Sequence, residues 1–285
     1  MSIQTINWKN VSDTLLIPLY CRAKETTEKN PIIVDHKALE ILKEIRSSLK
    51  GSQRPIHKKI LKNKYNSKLV VSLALRTRRF DNYVRAFSEK NKNCTIVNLG
   101  CGFDARYLRL KDPNLTWFDL DLPEVIEMKK QLFTSSQKYH LIPASVLDFS
   151  WMDTVKANRS GNIMFIAEGL FMYLDEQKTK ELIIKMSEVF PGSELVFEIA
   201  GKYWVKKMSS SYIKWKFNHQ LGIKDDALFR FGIVDHKEIE SLGRNITFLD
   251  EWSYFDDKEK RLGWFNFMGS FTSLKHVQWT LHFRL

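Results

Sequence analysis

Two glycines and an aspartate are the positions in this chain whose types and spacing best suit ligand binding. Gly100 and Gly102 follow the apolar run TIVNL, and Asp121 ends the next such run, TWFDLD. Where a glycine turn joins a strand to a helix, backbone N–H groups can approach a ligand. An acid at the tip of the neighbouring strand can then accept hydrogen bonds from a ribose diol. The spacing therefore predicts a site for an adenosine-containing cofactor.

The same turn is compatible with other cofactors and with a structural role. Residues 100–105, GCGFDA, also satisfy the G-x-G-x-x-A form of dinucleotide-binding turns, which leaves a nicotinamide cofactor open. Tight turns need glycine for positive φ whatever their function. Asp121 stands just ahead of Pro123, where it would also suit the cap of a helix. Asp119 lies on the same face of the strand and would support Asp121 from beneath.

Charged side chains elsewhere would complete such a site. Glu168 directly follows the apolar run IMFIA, so at the carboxyl edge of a sheet it would face a cleft or pair with a cation. The segment RTRRFD, residues 76–81, carries arginines that suit bidentate binding of a carboxylate, with surface salt bridges as the alternative. The seven histidines show no metal-ligand spacing, and no phosphate-binding loop or nucleophile motif is present.

Composition limits the classes of protein to which this chain can belong. The chain has 285 residues with 44% hydrophobic content, enough for a sizeable core, and no apolar run long enough to span a membrane. Its three cysteines lack C-x-x-C spacing, and its first residues lack the features of a signal peptide. These observations predict a cytoplasmic protein without a disulfide framework.

The net charge of +12 comes entirely from the first third of the chain. Residues 1–92 hold 20 lysines and arginines against 8 acids, whereas residues 93–285 hold 25 of each. A basic region of this kind could attract nucleic acid, an anionic small substrate or an acidic membrane face, but a solvated helical surface is the simpler interpretation. No stacked-aromatic RNA-binding pattern is present. We therefore expect neither a nucleic acid nor a membrane as partner.

The elements that would position these residues follow two patterns. Residues 1–92 carry apolar residues at helical spacing and predict a helical lid. From 93 to 285, short apolar runs alternate with helical ones, which predicts a core with a parallel α/β sheet covered on both faces. An aromatic-rich insertion at 201–243 interrupts this core. Strands are predicted at 95–99, 116–120, 139–142, 163–167 and 194–199, with two more at 246–254 and 277–283, one of them antiparallel.

These segments together resemble the leucine carboxyl methyltransferase family, in particular its bacterial branch of tetracenomycin-type polyketide O-methyltransferases. The resemblance rests on RTRRFD (76–81), TIVNLGCGFDARYLRL (95–110), WFDLDLPEVIEMKK (117–130), SVLDFSWMD (145–153) and IAEGLFMYL (166–174). It implies a class I methyltransferase fold, a Rossmann-like α/β sheet of seven strands with the last antiparallel. It also implies S-adenosylmethionine as the cofactor.

The resemblance assigns residues to the nucleoside half of that cofactor. It implies that Gly100 and Gly102 line the ribose and methionine part and that Asp121 holds the ribose hydroxyls. Relatives often carry an acid after the third strand to meet the adenine amine. This chain has Ser145 and Val146 there, so an uncharged acceptor would make a weaker contact with adenine.

Basic and acidic residues are assigned to the amino-acid half. The resemblance implies that Arg76 or Arg78 binds the cofactor carboxylate, joined by Arg22, and that Glu168 lies beneath the amino-acid moiety.

The activity implied is O-methylation of a small acceptor, an anionic one included, at a carboxylate or a hydroxyl. Because no general base is evident, an oxygen that is already ionised is favoured. Tyr173 and Tyr203 are expected in the acceptor pocket.

Two other functions stay open: an NAD-dependent oxidoreductase, and a basic RNA-directed protein with a vestigial pocket. The long helical region ahead of the nucleotide strand argues against the oxidoreductase. Methylation of a protein's C-terminal leucine is disfavoured by the short chain. The sequence does not predict the oligomeric state.

Overall fold

The computed structural model describes Trp8, residues 11–208 and residues 229–285. Eight strands in this part of the chain form one sheet: β1 Thr95–Leu99, β2 Thr116–Asp121, β3 Tyr139–Pro143, β4 Ile163–Ala167, β5 Glu194–Gly201, β6 Gly232–Ile233, β7 Thr247–Ser253 and β8 Gln278–Arg284. Seven of them lie in the order β3-β2-β1-β4-β5-β8-β7, and β6 pairs with β5. The predicted α/β fold is confirmed, with β6 as a short addition.

The strand directions are those of a parallel sheet closed by one reversed strand. β1 pairs in parallel with β2 on one side and with β4 on the other. The last strand, β8, is antiparallel to both β5 and β7. The carboxyl ends of β1 and β4 therefore flank the point where the strand order reverses, which is where open α/β sheets bind ligands.

Eleven α-helices surround the sheet in the described residues: α1 Asp13–Thr26, α2 His36–Ser48, α3 Pro55–Leu61, α4 Ser67–Lys90, α5 Arg106–Leu110, α6 Pro123–Leu132, α7 Trp151–Asn158, α8 Glu176–Val189, α9 Lys202–Met208, α10 Lys237–Glu240 and α11 Thr272–Lys275. Two 3₁₀ segments, Phe171–Tyr173 and Lys260–Ser270, complete these elements. None of the described helices has the length and apolar character to cross a bilayer.

Local sequence signals account for the helices that lie ahead of the sheet. Asp35 caps α2 by accepting a hydrogen bond from the Ala38 amide at 2.9 Å. Apolar residues at helical spacing then give α2 a buried stripe that includes Ile41, Leu42 and Ile45. Asn66 caps the 24-residue helix α4 in the same way. These caps fix where the helices begin, and the stripes fix which face packs inward.

The two faces of the sheet have separate apolar cores. On one face, residues of α1, α2, α3 and α4 pack with β1 and β2. On the other, residues of α7 and α8 pack with β1, β4 and β5. The division of the chain at residue 92 stays a prediction. Residues 209–228 of the predicted insertion, with the aromatic residues Tyr212, Trp215 and Phe217, lie outside the described residues.

Candidate functional site

A cavity of about 670 Å³ opens at the carboxyl ends of β1, β2 and β4. The turn after β1, the end of β2 and the start of α6 form one wall. Residues of α1 and α4 also line the cavity, among them Leu15, Ile17, Leu69 and Leu73. A cavity of this size at this edge suits a nucleotide-sized ligand.

The turn after β1 requires glycine at two positions. Gly100 has φ +64° and Gly102 has φ +47°. A Cβ at Gly100 would lie 2.8 Å from Leu170 Cδ1, and one at Gly102 would lie 2.9 Å from Leu15 Cδ2. Both contacts are with residues that line the cavity. The glycines therefore permit the left-handed backbone and keep room for the cavity walls.

Asp121 at the end of β2 faces this turn. Its Oδ2 accepts a hydrogen bond from the Gly102 amide at 2.7 Å, and its Oδ1 accepts one from the Leu122 amide at 2.8 Å. Leu122 occupies the cap position of α6 and makes no side-chain cap bond, so Asp121 does not serve as the helix cap. Burial raises the pKa of the Asp121 carboxyl, against the effect of these hydrogen bonds. The carboxyl lines the cavity where a ligand's hydroxyls would be accepted.

Asp119 lies beneath, two residues earlier on the same strand, and is fully enclosed. It receives hydrogen bonds from Asn98 Nδ2 at 3.0 Å, Trp117 Nε1 at 2.8 Å and the Tyr139 hydroxyl at 2.6 Å. Lys129 Nζ lies 2.7 Å from its Oδ2. A carboxylate with this many donors has no capacity left for a ligand. Asp119 therefore supports the strand tip rather than binding at the cavity.

Glu168 follows β4 and binds two arginines. Arg76 Nε lies 2.8 Å from Glu168 Oε1, and Arg106 Nη2 lies 2.5 Å from Oε2. Burial by itself would raise the pKa of Glu168, but the two guanidinium groups outweigh burial and lower it. Arg76 also donates from Nη1 to Glu198 Oε2 at 3.0 Å. Its Nη2 makes no hydrogen bond to any described residue and is available at the cavity.

These pairs belong to a continuous buried cluster of ion pairs behind the cavity. Arg106 binds Asp81 at 2.7 Å and Asp104 at 2.6 Å. Arg109 binds Asp81 at 2.8 Å and also Asp35 and Asp104. The members, which we call the ion cluster, are the carboxylates of Asp35, Asp81, Asp104, Glu168 and Glu198 and the guanidinium groups of Arg22, Arg76, Arg106 and Arg109. Five carboxylates against four guanidinium groups leave one negative charge in excess.

The ion cluster extends from Arg22, which lines the cavity, to Glu198, which is not among the lining residues. The Arg22 Nε donates a hydrogen bond to Asp35 at 3.0 Å, and its Nη2 donates one to the Phe103 carbonyl at 2.8 Å. At the other end, Glu198 is fully buried and accepts a hydrogen bond from the Tyr254 hydroxyl. Burial raises the pKa of Glu198 despite its contact with Arg76. The guanidinium groups that a ligand could reach are thus those of Arg22 and Arg76.

Besides Arg22, which lines the cavity, and Asp119, which lies beneath it, the sequence singles out ten residues, and the structure brings six of them together. Gly100, Gly102, Asp121, Arg76, Glu168 and Tyr173 all line the one cavity. Burial raises the pKa of the Tyr173 hydroxyl to about 12. Their roles toward a bound cofactor stay predictions.

The other four lie elsewhere. Arg78 pairs with Asp257 at 3.0 Å and lines a different cavity, because it sits two residues, or about 200°, around α4 from Arg76. Ser145 Oγ accepts from the Leu147 amide, and Val146 packs in the apolar core. Tyr203 is 63% exposed on α9 and packs against Trp204.

Several polar residues of the cavity escaped the sequence reasoning, among them Asp104 and Gln278. Asp104 lines the cavity and belongs to the ion cluster, where Arg106 and Arg109 outweigh the effect of burial and lower its pKa. Its place inside the glycine turn is a signal that points to it. Gln278, at the start of β8, also lines the cavity, more than 100 residues from the other polar groups. No local pattern predicts that contact.

The glycine turn offers a test of the packing. In Gly100→Ala the new methyl group is forced to positive φ and against Leu170, so we expect the free energy of unfolding to fall by about 2 kcal/mol. Gly51→Ala is the matched control, since Gly51 has φ +77° and a Cβ there would meet nothing within 4 Å, and it should cost about 1 kcal/mol. Urea denaturation measures both. Equal losses would mean that the turn is not tightly packed.

Comparisons with known proteins agree on one family. The family model described as leucine carboxyl methyltransferase matches residues 16–187, more than half of the chain. The tetracenomycin polyketide synthesis O-methyltransferase TcmP of Streptomyces glaucescens is 28% identical over 254 residues, covering 89% of this chain and 86% of that protein. The S-adenosyl-L-methionine-dependent methyltransferase dpfgK of Gibberella zeae is 26% identical over 278 residues, covering 94% and 89%.

A solved structure is similar in fold. The crystal structure of a DUF574 family protein from Streptomyces avermitilis matches with a TM-score of 0.57 at 11% identity, over 84% of this chain and 95% of that one. At this identity the similarity concerns the fold alone.

Proposed function

Because the chain belongs to the leucine carboxyl methyltransferase family, we propose that it is an S-adenosylmethionine-dependent O-methyltransferase acting on a small acceptor. One observation carries the proposal: a single cavity presents an aspartate at the tip of β2, two arginines and an excess of negative charge. A ribose diol, a carboxylate and a cationic sulfonium with its ammonium group are the ligand groups that match these features.

The described residues fit that cofactor. Asp121 would accept hydrogen bonds from the ribose hydroxyls, since its carboxyl faces the cavity beside Gly102. Arg76, through Nη2, and Arg22 would bind the carboxylate of the amino-acid part. Glu168, ionised and held between two arginines, would balance the ammonium group. When bound, S-adenosylmethionine supplies a methyl group that its positive sulfur has already activated.

The charges of the cavity disfavour a nicotinamide dinucleotide. A pyrophosphate bound at the turn after β1 would lie close to Asp104, whose pKa is lowered and which is therefore ionised. The helix that follows, α5, has five residues and begins six positions after Gly100, so it offers little of the N-terminal field that binds phosphates. Like charges at close range oppose binding, whereas a cationic ligand gains from the same carboxylates.

The other half of the cavity suits an apolar acceptor. Leu15, Ile17, Ile56, Leu69 and Leu73 line it, and no lysine or histidine is among its described lining residues. This part of the structure thus offers the acceptor burial of apolar surface and little charge to bind.

The side chains near the acceptor half favour an oxygen that is already ionised. The Tyr173 hydroxyl, with its pKa of about 12, keeps its proton and can donate a hydrogen bond. Glu168 and Asp104 have lowered pKa values and would be weak proton acceptors. We therefore propose a carboxylate or an acidic phenol on an apolar molecule as the acceptor. The protein's part is to align that oxygen and exclude water.

A matched set of acceptors tests this proposal. Transfer of a radiolabelled methyl group is measured to 2-naphthoate, to 2-naphthol and to 2-naphthylmethanol, which share one ring system and differ in the acidity of the oxygen. We expect the naphthoate to be methylated fastest, the naphthol more slowly and the alcohol not detectably. Fastest transfer to the alcohol would contradict the proposal, since it would require a general base.

A further inference from the structure

Two stretches of the chain contain no acidic residue at all. Residues 45–80 hold eleven lysines and arginines and no aspartate or glutamate, and residues 260–285 contain no acid either. The first stretch includes α3 and the N-terminal half of α4. The second begins with the 3₁₀ segment Lys260–Ser270. Both stretches therefore have a positive charge that no acid of their own balances.

The lysines of the first stretch are exposed and lack ion-pair partners. Lys50, Lys58, Lys62 and Lys64 are all exposed around α3 and the turn that follows it. None of the four forms a salt bridge with an acid of the described residues, and Lys58 bonds instead to the Gln53 side chain at 2.8 Å. We call these four residues the basic face. Four exposed lysines within 15 residues of chain, with no acid among them, create a local positive potential.

Exposed aromatic residues follow in the second stretch. Trp264 is 70% exposed, Phe267 65% and Phe271 51%. The segment that carries them is anchored from below, because Leu262 and the partly buried Phe265 pack against Val71 and Leu75 of α4. We call the three exposed rings the aromatic edge. Large apolar rings held outward on an anchored segment mark an interaction surface.

Lys68 connects the basic face to the aromatic edge. It lies on the first turn of α4, directly after the basic face, and its Nζ is 3.7 Å from the centre of the Phe265 ring and 5.3 Å from that of Trp264. The next residue, Leu69, is 38% exposed and lines the cavity described above. Lys68 therefore lies next to the aromatic edge, and the same turn of α4 contributes Leu69 to the cavity.

We propose that the basic face and the aromatic edge together bind the surface of an anionic lipid bilayer. Lysines attract acidic headgroups, while tryptophan and phenylalanine side chains enter the boundary between headgroups and acyl chains. A single-stranded RNA would also meet lysines and rings, but beside these rings α4 contributes an apolar side chain, Leu69, to the cavity, which favours a lipid. If the proposed function holds, the cavity opens toward a membrane from which an apolar acceptor can enter.

Vesicle sedimentation tests the proposal directly. The full chain is mixed with vesicles of phosphatidylcholine alone or with about one third phosphatidylglycerol, at low and at high salt. We expect at least about tenfold stronger partitioning onto the anionic vesicles, largely lost at about 0.5 M salt, because screening shortens the reach of the charges. Absence of any preference for the anionic vesicles would overturn the proposal.

Two double variants distinguish vesicle binding by the basic face from binding that depends only on the net charge of the protein. Lys62→Glu with Lys64→Glu should lower partitioning at least tenfold, since each lysine near such a surface contributes about fivefold. Lys156→Glu with Lys178→Glu, exposed lysines on α7 and α8 under the other face of the sheet, is the control and should have a small effect. Equal losses in the two double variants would mean that only net charge matters, which contradicts the proposal.

A second variant and its control test the role of the aromatic edge. Trp264→Ser with Phe267→Ser should reduce partitioning severalfold even at low salt, whereas Tyr203→Ser, an exposed ring on α9, should not. Circular dichroism and S-adenosylhomocysteine binding verify that each variant is folded, since none of these residues lines the cavity. Binding of a polyuridine oligonucleotide that the Lys62 and Lys64 changes abolish, without vesicle binding, would assign the face to nucleic acid instead.

Discussion

Replacing Arg106 with methionine is expected to lower the free energy of unfolding by about 3–5 kcal/mol, the largest stability loss we expect from a single change in this chain. Arg106 is fully buried and holds Asp81, Asp104 and Glu168 at 2.5 to 2.7 Å. Methionine keeps much of the side-chain volume but none of the charge. Three buried carboxylates would then lose a partner, and the excess of negative charge in the ion cluster would grow from one to two. Urea unfolding measures the loss.

The pH dependence of this loss in the free energy of unfolding shows whether the missing charge or the changed packing causes it. Arg106 and its neighbours lower the pKa of Asp81 and of Glu168, so these acids stabilise the wild type above their unfolded pKa values and cease to do so as pH falls. The difference between wild type and Arg106→Met should therefore shrink below about pH 4, as the pH falls through the lowered pKa values of these acids. Arg85→Met, an exposed position on α4, should cost less than about 0.5 kcal/mol. A deficit that does not change with pH would contradict the electrostatic explanation.

Replacing Asp121 with asparagine is expected to weaken S-adenosylmethionine binding by about 10- to 100-fold. The carboxylate would accept two hydrogen bonds from the ribose diol, and bonds to a charged acceptor are about twice as strong as neutral ones. Asparagine keeps the shape of the side chain but presents one accepting oxygen. Calorimetric titration measures the affinity. Asp153→Asn, an exposed aspartate on α7, is the control and should bind as the wild type does.

The same titration at several pH values identifies Asp121 as the group responsible. Burial raises its pKa in the cofactor-free protein, and hydroxyl donors favour the ionised form, so binding must displace a proton at low pH. Wild-type affinity should fall as the pH drops from about 7 to about 4.5, and that of Asp121→Asn should change much less. A variant that keeps the full pH dependence would show that another acid contacts the cofactor.

The sequence predicts those parts of the structure that local patterns encode. β1 and β4 occur at the predicted residues because short apolar runs bounded by a glycine turn or an acid have few other solutions. Gly100, Asp121 and Glu168 meet at one edge for the same reason: each ends or follows a parallel strand, and parallel strands share their carboxyl edge.

Local sequence patterns do not predict the contacts within the ion cluster. Arg106 meets Asp81 across 25 residues and Glu168 across 62, and Arg109 meets Asp35 across 74. These contacts depend on how α4 and α5 dock, which no spacing in the sequence encodes.

Other residues lie away from the cavity for similarly physical reasons. Arg76 and Arg78 look equivalent in the sequence, but on a helix two residues apart means nearly opposite faces, and the docking of α4 decides between them. Val146 turns into the core beside Trp151, whose Nε1 donates to the Val146 carbonyl at 3.0 Å. The short strand β6 rests on two residues paired with β5, too few for a strand pattern in the sequence.

The central claim is that the cavity beside Gly100 binds S-adenosylmethionine, and calorimetric titration of the purified chain tests it most directly. S-adenosylmethionine, S-adenosylhomocysteine and NAD are titrated in turn at about neutral pH. The account predicts one site per chain for the two sulfur compounds, weakened in Asp121→Asn, and no measurable heat for NAD. Binding of NAD at that site, or of none of the three compounds, would contradict it.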